Sequence, residues 1–399
     1  MAGPRVCLGA LHDFPTADEG ASFEQGVRHG IQQVRDSGRL DIELEFVHAT
    51  CVGLPLPGGS ARVVEEAFRN LVGRGAVAIL GPAISDNALV VRPLADAARV
   101  PTLNYSGSDE TRSEYRFRYQ IGSLEDEPSF LAANLAARGL TRVAVERDNS
   151  YVGRRSAGFF EHAVAVAGLS VTGRADADAI VSLDMWDTAR MLAAGHPEQP
   201  VVANSALIYG HADPDAARAW DGWAYPDTFS EANEIYAALG AFGSAGAGHF
   251  DLGRLIGEAL ARARVITGPG VMDGLEQVKA IPAASGEPST LMGFGRCDRG
   301  ALKGRYLVIR EWRNGRQALT GTHRGVLPGG GRSPAVRSTG VRYWEARYPQ
   351  YWPHLFVLSI HKNAPSCCAD EASGYYGEVI RDAAPTPEIG NRQPCPPRT

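Results

Sequence analysis

Short, continuously apolar runs alternate with longer segments whose apolar residues recur at helical spacing. Val6–Leu11 is the first such run and ends at His12-Asp13. Phe23, Val27, Gly30, Ile31 and Val34 then share one helical face until Asp36-Ser37-Gly38 stops it. Ile42–His48 alternates like a strand, and Ser60 stands where an N-cap is wanted before the helix Ala61–Val72. Ala76–Leu80 and Pro101–Leu103 are further buried-looking strands, with a helix opened by Ser85 between them. Strands apolar along their whole length, alternating with helices, predict a parallel sheet covered on both faces over residues 4–122.

The pattern then restarts. Pro128–Arg138, Arg154–Ala167 and Trp186–Ala194 read as helices, and Arg142–Glu146, Leu169–Val171, Ile180–Leu183 and Val201–Ala203 as strands. Eight residues, Thr172–Ala179, separate two of those strands, whereas a parallel crossover normally needs a dozen or more. Either a strand is misread or this second unit lacks a helix. Phe250–Arg264 and Val271–Ala280 follow as helices, and Gly304–Trp312 as a strand before the turn Asn314-Gly315. From His323 onward the stretch carries ten of the 25 prolines and little periodicity, which predicts a loosely ordered extension. Its aromatic run Tyr343, Trp344, Tyr348, Tyr351 and Trp352 leaves a docked arm as the alternative.

Composition narrows the function. At 44% hydrophobic and 21% charged, the chain has material for a core, and no apolar run reaches membrane-helix length. A formal net charge of −5 argues against nucleic acid as a partner. The six cysteines are scattered: Cys7 and Cys297 read as packed thiols, Cys51 as a loop residue, and Cys367-Cys368 as neighbours that rarely bond to each other. No ligand spacing suggests a metal, and no phosphate loop, nucleophile elbow or dinucleotide fingerprint suggests a cofactor. Met1–Arg5 leads straight into an apolar strand without a signal peptide, so the chain as written is expected in the cytoplasm, or outside it if the true start lies upstream.

What remains is position. Ligands of doubly wound sheets bind beyond the carboxyl ends of the strands. Three loops emerge there: His12–Ser22, Pro82–Ser85 and Asn104–Ser108. Ser85 would cap its helix, whose free N–H groups suit a carboxylate, while Ser106 and Ser108 add hydroxyls. The plain alternative is that all three serines are caps and turn residues. His12 reads as a solvated loop histidine.

With these loops placed, residues 4–322 resemble the type I periplasmic solute-binding proteins, in particular the branched-chain amino acid (Leu/Ile/Val) group of ABC-transporter receptors. The stretches carrying the resemblance are AVAILGPAIS at 76–85, VPTLNYSGS at 100–108, RVAVERDNSYVGRRSAGFFEHAV at 142–164 and MGFGRCDRGALKGRYLVIREWRNGR at 292–316. It implies an α/β fold of two doubly wound parallel-sheet lobes, joined by three crossings and closing over a small molecule. The expected lobes are 4–122 with about 228–290, and 123–227 with about 291–322, the latter shortened. By position, Ser85, Ser106 and Ser108 would hold a ligand's carboxylate and amino group, and Tyr151 would lie over it. Asp184 and Ala206 would flank the second-lobe side. The family's acidic acceptor for an ammonium has no carboxylate equivalent near Asn204–Leu207, and Asp184 is the remaining candidate for that charge. Cys51 matches a family disulfide cysteine whose partner position holds Ile84, so that bridge is absent.

The implied function is non-catalytic binding of a small polar metabolite (amino acid, amide or carboxylate), either as a sensor acting on a regulatory partner protein or as a receptor for an ABC permease. An enzyme on the same fold would have to draw on His12, Asp13 and Asp184, which no spacing joins as a set. A scaffold that docks through its aromatic tail is the third alternative.

Overall fold

A computed structural model describes residues 3–13, 19–119, 123–185, 187–212, 214–239, 243–322 and 325–326, all within one compact unit spanning Met1–Gly340. The predicted extension at 323–399 lies, apart from residues 325–326, outside the described residues.

The first sheet is built from β1 (Arg5–His12), α1 (Glu19–Asp36), β2 (Glu43–Thr50), α2 (Ala61–Gly73), β3 (Ala78–Leu80), α3 (Ser85–Ala98), β4 (Thr102–Asn104) and β5 (Arg116–Arg118). Its strands are all parallel in the order β2-β1-β3-β4-β5. β3 and β4 are buried at every position, as expected of strands covered on both faces. The face of α1 read from the sequence, Phe23, Val27, Ile31 and Val34, is buried. So is the Val64, Phe68 and Leu71 stripe of α2. Ser60 does stand at the N-cap of α2, but its side chain makes no cap bond.

The second sheet follows with α4 (Glu127–Ala137), β6 (Arg142–Arg147), α5 (Tyr151–Ala167), β7 (Ser170–Val171), β8 (Ala179–Leu183), α6 (Asp187–Ala194), β9 (Val201–Ala203), α7 (Pro214–Ala219) and β10 (Ala224–Asp227). β7, β6, β8, β9 and β10 are parallel neighbours in that order. The short connection that looked anomalous holds a single 3-10 turn, Arg174–Asp176, in place of a crossover helix. It suffices because β7 has only two residues, pairing with Arg142 and Val143, so the chain climbs about 7 Å before turning back to start β8 beside Val143.

The rest comprises α8 (Glu234–Leu239), α9 (Gly243–Arg262), α10 (Gly268–Gln277), β11 (Ile281–Pro282), β12 (Leu291–Met292), β13 (Leu302–Lys303), β14 (Val308–Arg313), β15 (Arg316–Thr322) and β16 (Gly325–Val326). α9 packs against α1 and α10. At the α1–α9 crossing, glycines face each other: a Cβ on Gly253 would collide with the Val27 carbonyl and lie 3.0 Å from Gly30 Cα. Strands β14, β15 and β16 extend the second sheet antiparallel beyond β10. Asn314 (φ 51°) and Gly315 (φ 71°) make the β14–β15 turn, both left-handed as a two-residue hairpin requires.

The block 292–303, expected with the second lobe, is attached to the first. Arg118 N–H donates to Arg299 O at 2.7 Å, Ala301 N–H donates to Arg118 O at 2.8 Å, and Phe294 packs edge-on against Phe117. β11, β12 and β13 form a small antiparallel sheet of their own, and only from β14 does the chain rejoin the second sheet. The main chain thus passes between the two sheets three times: between β5 and α4, between β10 and α8, and between β13 and β14. Ion pairs sit at these crossings. Arg118 pairs with Glu125 and Asp109, and Arg310 grips Glu231 through two nitrogens at 2.9 and 2.7 Å.

Candidate functional site

The site is assembled where the carboxyl ends of the first sheet's strands face α5. Asp13, directly after β1, is buried, and its carboxylate accepts the N–H groups of Ala83 (2.8 Å) and Ile84 (2.9 Å) and the Asn87 side-chain amide (2.9 Å). Burial raises its pKa against those stabilising bonds. Asn87 in turn holds both main-chain polar groups of Leu54. Asp13 is therefore the clamp that fixes the entry to α3. Ser85 is buried in the first turn of α3; Ile84, with no side-chain cap bond, occupies the N-cap position that Ser85 was expected to fill.

Ser106 and Ser108 are both fully buried, but they face different partners. The Ser106 hydroxyl and N–H both bond to Asn104 Oδ1, and its oxygen also lies 2.7 Å from Thr111 Oγ1. It braces its own loop. Ser108 caps the 3-10 turn Asp109–Thr111 by accepting from Glu110 N–H, and lies 2.7 Å from the Tyr151 hydroxyl on α5. This is a contact from one lobe to the other. Arg155 on α5 pairs with Glu110 at 2.6 Å beside it. Burial and the neighbouring Glu110 push the Tyr151 phenol up to about 12, so it stays protonated at any ordinary pH.

Asp184, after β8, is buried and accepts from Ser182 Oγ at 2.6 Å, while its carbonyl accepts from the Asn204 amide at 2.8 Å. Ala206 N–H donates to Asn204 Oδ1. The second-lobe loops are thereby tied to each other. They are also tied to α4, where the buried Glu127 accepts Ser123 N–H at 2.6 Å and Ser205 N–H at 2.9 Å. Burial lifts Glu127 to about 7.

Two features depart from the expectations above: one residue not singled out there, and one expected as a solvated loop histidine that is neither solvated nor in a loop. Asp86, in the first turn of α3, reaches across to α5 and accepts the Tyr151 N–H at 3.4 Å through Oδ1, while its Oδ2 is buried without a partner. An aspartate there reads only as a complement to the helix dipole, so nothing local marked it. His12 is the other: it is the last residue of β1, half-buried, stacked on His48 with Nε2 3.0 Å from His48 Nδ1. His48 Nε2 meets Glu24 at 2.7 Å. His48 donates to the Glu24 carboxylate through Nε2, and one proton joins its Nδ1 to His12 Nε2. Burial and His48 lower His12 to about 4.

Cys51 is a half-buried free thiol raised to about 11 by burial and Asp13, and Ile84 is fully packed, in keeping with the missing bridge. Cys297, expected to be packed, is exposed. Among the described residues no helix is long and apolar enough to cross a membrane, and no group of three or more His, Cys, Asp or Glu side chains could hold a metal ion.

No family model and no curated protein matches the sequence. Solved structures do match. LivJ of Streptococcus pneumoniae, the branched-chain amino acid transporter substrate-binding protein in complex with isoleucine, aligns at 16% identity and TM-score 0.65, over 78% of this chain and 97% of that one. A periplasmic binding protein type 1 from Bordetella pertussis aligns at 15% identity and TM-score 0.63, over 79% and 99%. An ABC-transporter solute-binding protein from Rhodopseudomonas palustris, in complex with 3,4-dihydroxybenzoic acid, aligns at 16% identity and TM-score 0.59, over 77% and 93%. Two lobes, three crossings and near-complete coverage of these proteins agree: the chain has the fold of the type I periplasmic binding proteins.

Proposed function

We propose that this protein is a non-catalytic receptor whose two lobes close over a small polar metabolite, serving as a sensor or as a solute-binding protein. The observation that carries the reading is the meeting of Ser108 with Tyr151 at 2.7 Å, which joins the carboxyl ends of the first sheet to the opening of α5. Structural neighbours bind isoleucine or 3,4-dihydroxybenzoic acid, so an amino acid, an amide or a carboxylate is the class to test first. Lobe closure is the output, driven by a ligand's better fit to the closed form. In a transport role the partner is an ABC permease; in a sensing role it is a regulatory protein. The groups that an enzyme reading needs are held in structural bonds: Asp13 by the α3 entry, His12 by His48, and Asp184 by Ser182.

A thermal-shift and calorimetry screen of the full chain against amino acids, amides and small carboxylates tests this. A ligand at a hundred times its Kd adds about 2.7 kcal/mol of stability. Tyr151→Ala should weaken that binding. Absence of any shift from a folded sample overturns the proposal, and turnover of a bound compound replaces it with an enzyme.

A further inference from the structure

The second crossing, residues 228–233, is fastened to both lobes. It follows Asp227, the last residue of β10 in the second sheet. At its far end the Asn233 amide donates to the carbonyls of Ala283, Ser285 and Gly286. Ala284 and Ser285 in turn give their N–H groups to Asp251 of α9, in the first lobe. A shift of this segment is therefore a shift of one lobe against the other.

Arg310 of β14 grips the segment from the second sheet. Besides its two bonds to Glu231, the guanidinium donates to the carbonyls of Phe229 at 3.3 Å and Gln317 at 3.1 Å, and it lies 4.5 Å over the Phe229 ring. Both terminal nitrogens are thus engaged, and Nε–H is left. Nε is 3.7 Å from Asp227 Oδ2, beyond hydrogen-bond reach, and both atoms are buried without a hydrogen-bond partner. The other Asp227 oxygen accepts the Thr228 N–H. The titratable groups facing Asp227 are Arg310, Glu231 and, on its own strand, Tyr225, which burial and Asp227 keep protonated.

One guanidinium thus stands between two carboxylates and is bonded to one of them. Bringing Nε to Asp227 means drawing the guanidinium off Glu231 and Phe229, or moving the segment that carries both. With Asp227 protonated, the gap costs little. With Asp227 ionised, a buried charge lies one short step from the N–H that would satisfy it.

We propose that Asp227, Arg310 and Glu231 form a proton-operated brace at the hinge: protonation of Asp227 keeps the segment on Arg310 and the lobes together, and ionisation draws Arg310 to Asp227 and lets them part. Burial holds Asp227 at about 6 in the closed arrangement, above the ordinary 3.8, whereas contact with Nε–H brings it down again. The closed arrangement binds the proton more tightly. It is therefore favoured fully below pH 3.8 and loses ground as pH rises through 6, by up to about a hundredfold in population. The brace regulates the closure on which the proposed binding role rests, and the two fail separately.

The test is small-angle scattering on the full chain from about pH 4 to 8, for wild type, Asp227→Asn and Glu231→Gln. The wild type should expand as pH rises, with the change falling between about pH 4 and 6. Asp227→Asn, which carries no charge, should stay compact throughout. Glu231→Gln frees Arg310 for Asp227, so its expansion should be centred at lower pH, a displacement that lost structural support alone does not produce. Glu231 is half-exposed, so this variant carries the test by itself if Asp227→Asn does not fold. A flat wild-type profile, or one that both variants leave unchanged, overturns the inference; a ligand that still shifts the melting of the full chain then leaves the binding role standing. The expected pH response with no binding of any amino acid, amide or carboxylate keeps the brace and overturns the binding role.

Discussion

Ser108 Oγ and Tyr151 Oη, brought together from different lobes, lie 2.7 Å apart, and the same tyrosine offers its N–H to Asp86. One residue at the start of α5 is thus held at two points by the first lobe. Tyr151→Phe removes the hydroxyl bond and keeps the ring, which should cost the closed form about 0.5–1.5 kcal/mol. Small-angle scattering should then show a shift toward an open, larger particle, with a closed-to-open ratio lower by roughly two- to tenfold. An unchanged scattering profile would show that closure does not depend on this contact.

Arg116 presents the opposite situation. It is fully buried in β5, none of its three guanidinium nitrogens has a hydrogen-bond partner, and the hydroxyl of Thr102 opposite it on β4 is unpartnered as well. Burial brings its pKa down to about 9, with Asp96 opposing. Arg116→Met should stabilise the protein by about 1–4 kcal/mol in denaturant melts, because the apolar chain packs without an unmet charge. A loss of stability would mean that the charge is satisfied by something bound there in solution.

Glu127 gives a pH signature. Its folded pKa of about 7 lies above the ordinary 4.5, so the folded form holds the proton more tightly than the unfolded chain. The resulting stability is fully present below pH 4.5 and is lost as pH rises through 7. Relative to Glu127→Gln, the wild type should lose up to about 3 kcal/mol across that window, measured as the difference between two pH series of denaturant melts. Parallel series would refute it.

His12 works in the other direction. Its folded pKa of about 4 lies below the ordinary 6.5, so its contribution is present above pH 6.5 and is lost as pH falls through 4. An NMR titration of the ring protons should find His12 neutral until near pH 4. Titration near 6.5 would contradict the buried His12–His48 pair.

The glycine contact between α1 and α9 leaves no room for a methyl group. Gly253→Ala should separate the helices and cost about 1–3 kcal/mol of stability, visible as a lower Tm. An unchanged Tm would show that the helices slide without loss.

How much of this was legible depended on how local the signal was. Four of the first sheet's five parallel strands announced themselves, β3 and β4 because they are buried on both faces, while β5, Arg-Phe-Arg, did not. β10 and β15 did not, since Ala-Tyr-Pro-Asp and the mixed Arg316–Thr322 carry no run or clear alternation; their strand character comes from the neighbours they pair with. The likeness to two-lobed binding proteins set Ser108 under a ligand and Tyr151 over it; that the two hydroxyls meet each other was not legible in it. It could not say that Ser106 turns inward to Asn104 and Thr111, because a hydroxyl's partner is chosen by the fold and not by its position in a motif. Asp86 stayed hidden for the same reason.

The packing of α9 on α1 also constrains how the molecule is made. Val27, Ile31 and Val34 leave the ribosome long before their packing partner, because the helix that packs against α1 begins only at Gly243. In between come all of β6 through β10, whose core is completed by Trp312 of β14 and shared in part with the first sheet. At about 5–20 residues per second, the apolar face of α1 waits on the order of ten seconds or more for α9. Neither lobe is complete before residue 243, because β14, β15 and β16 also follow α9, and newly made chains stalled there should be the form that chaperones and proteases recognise.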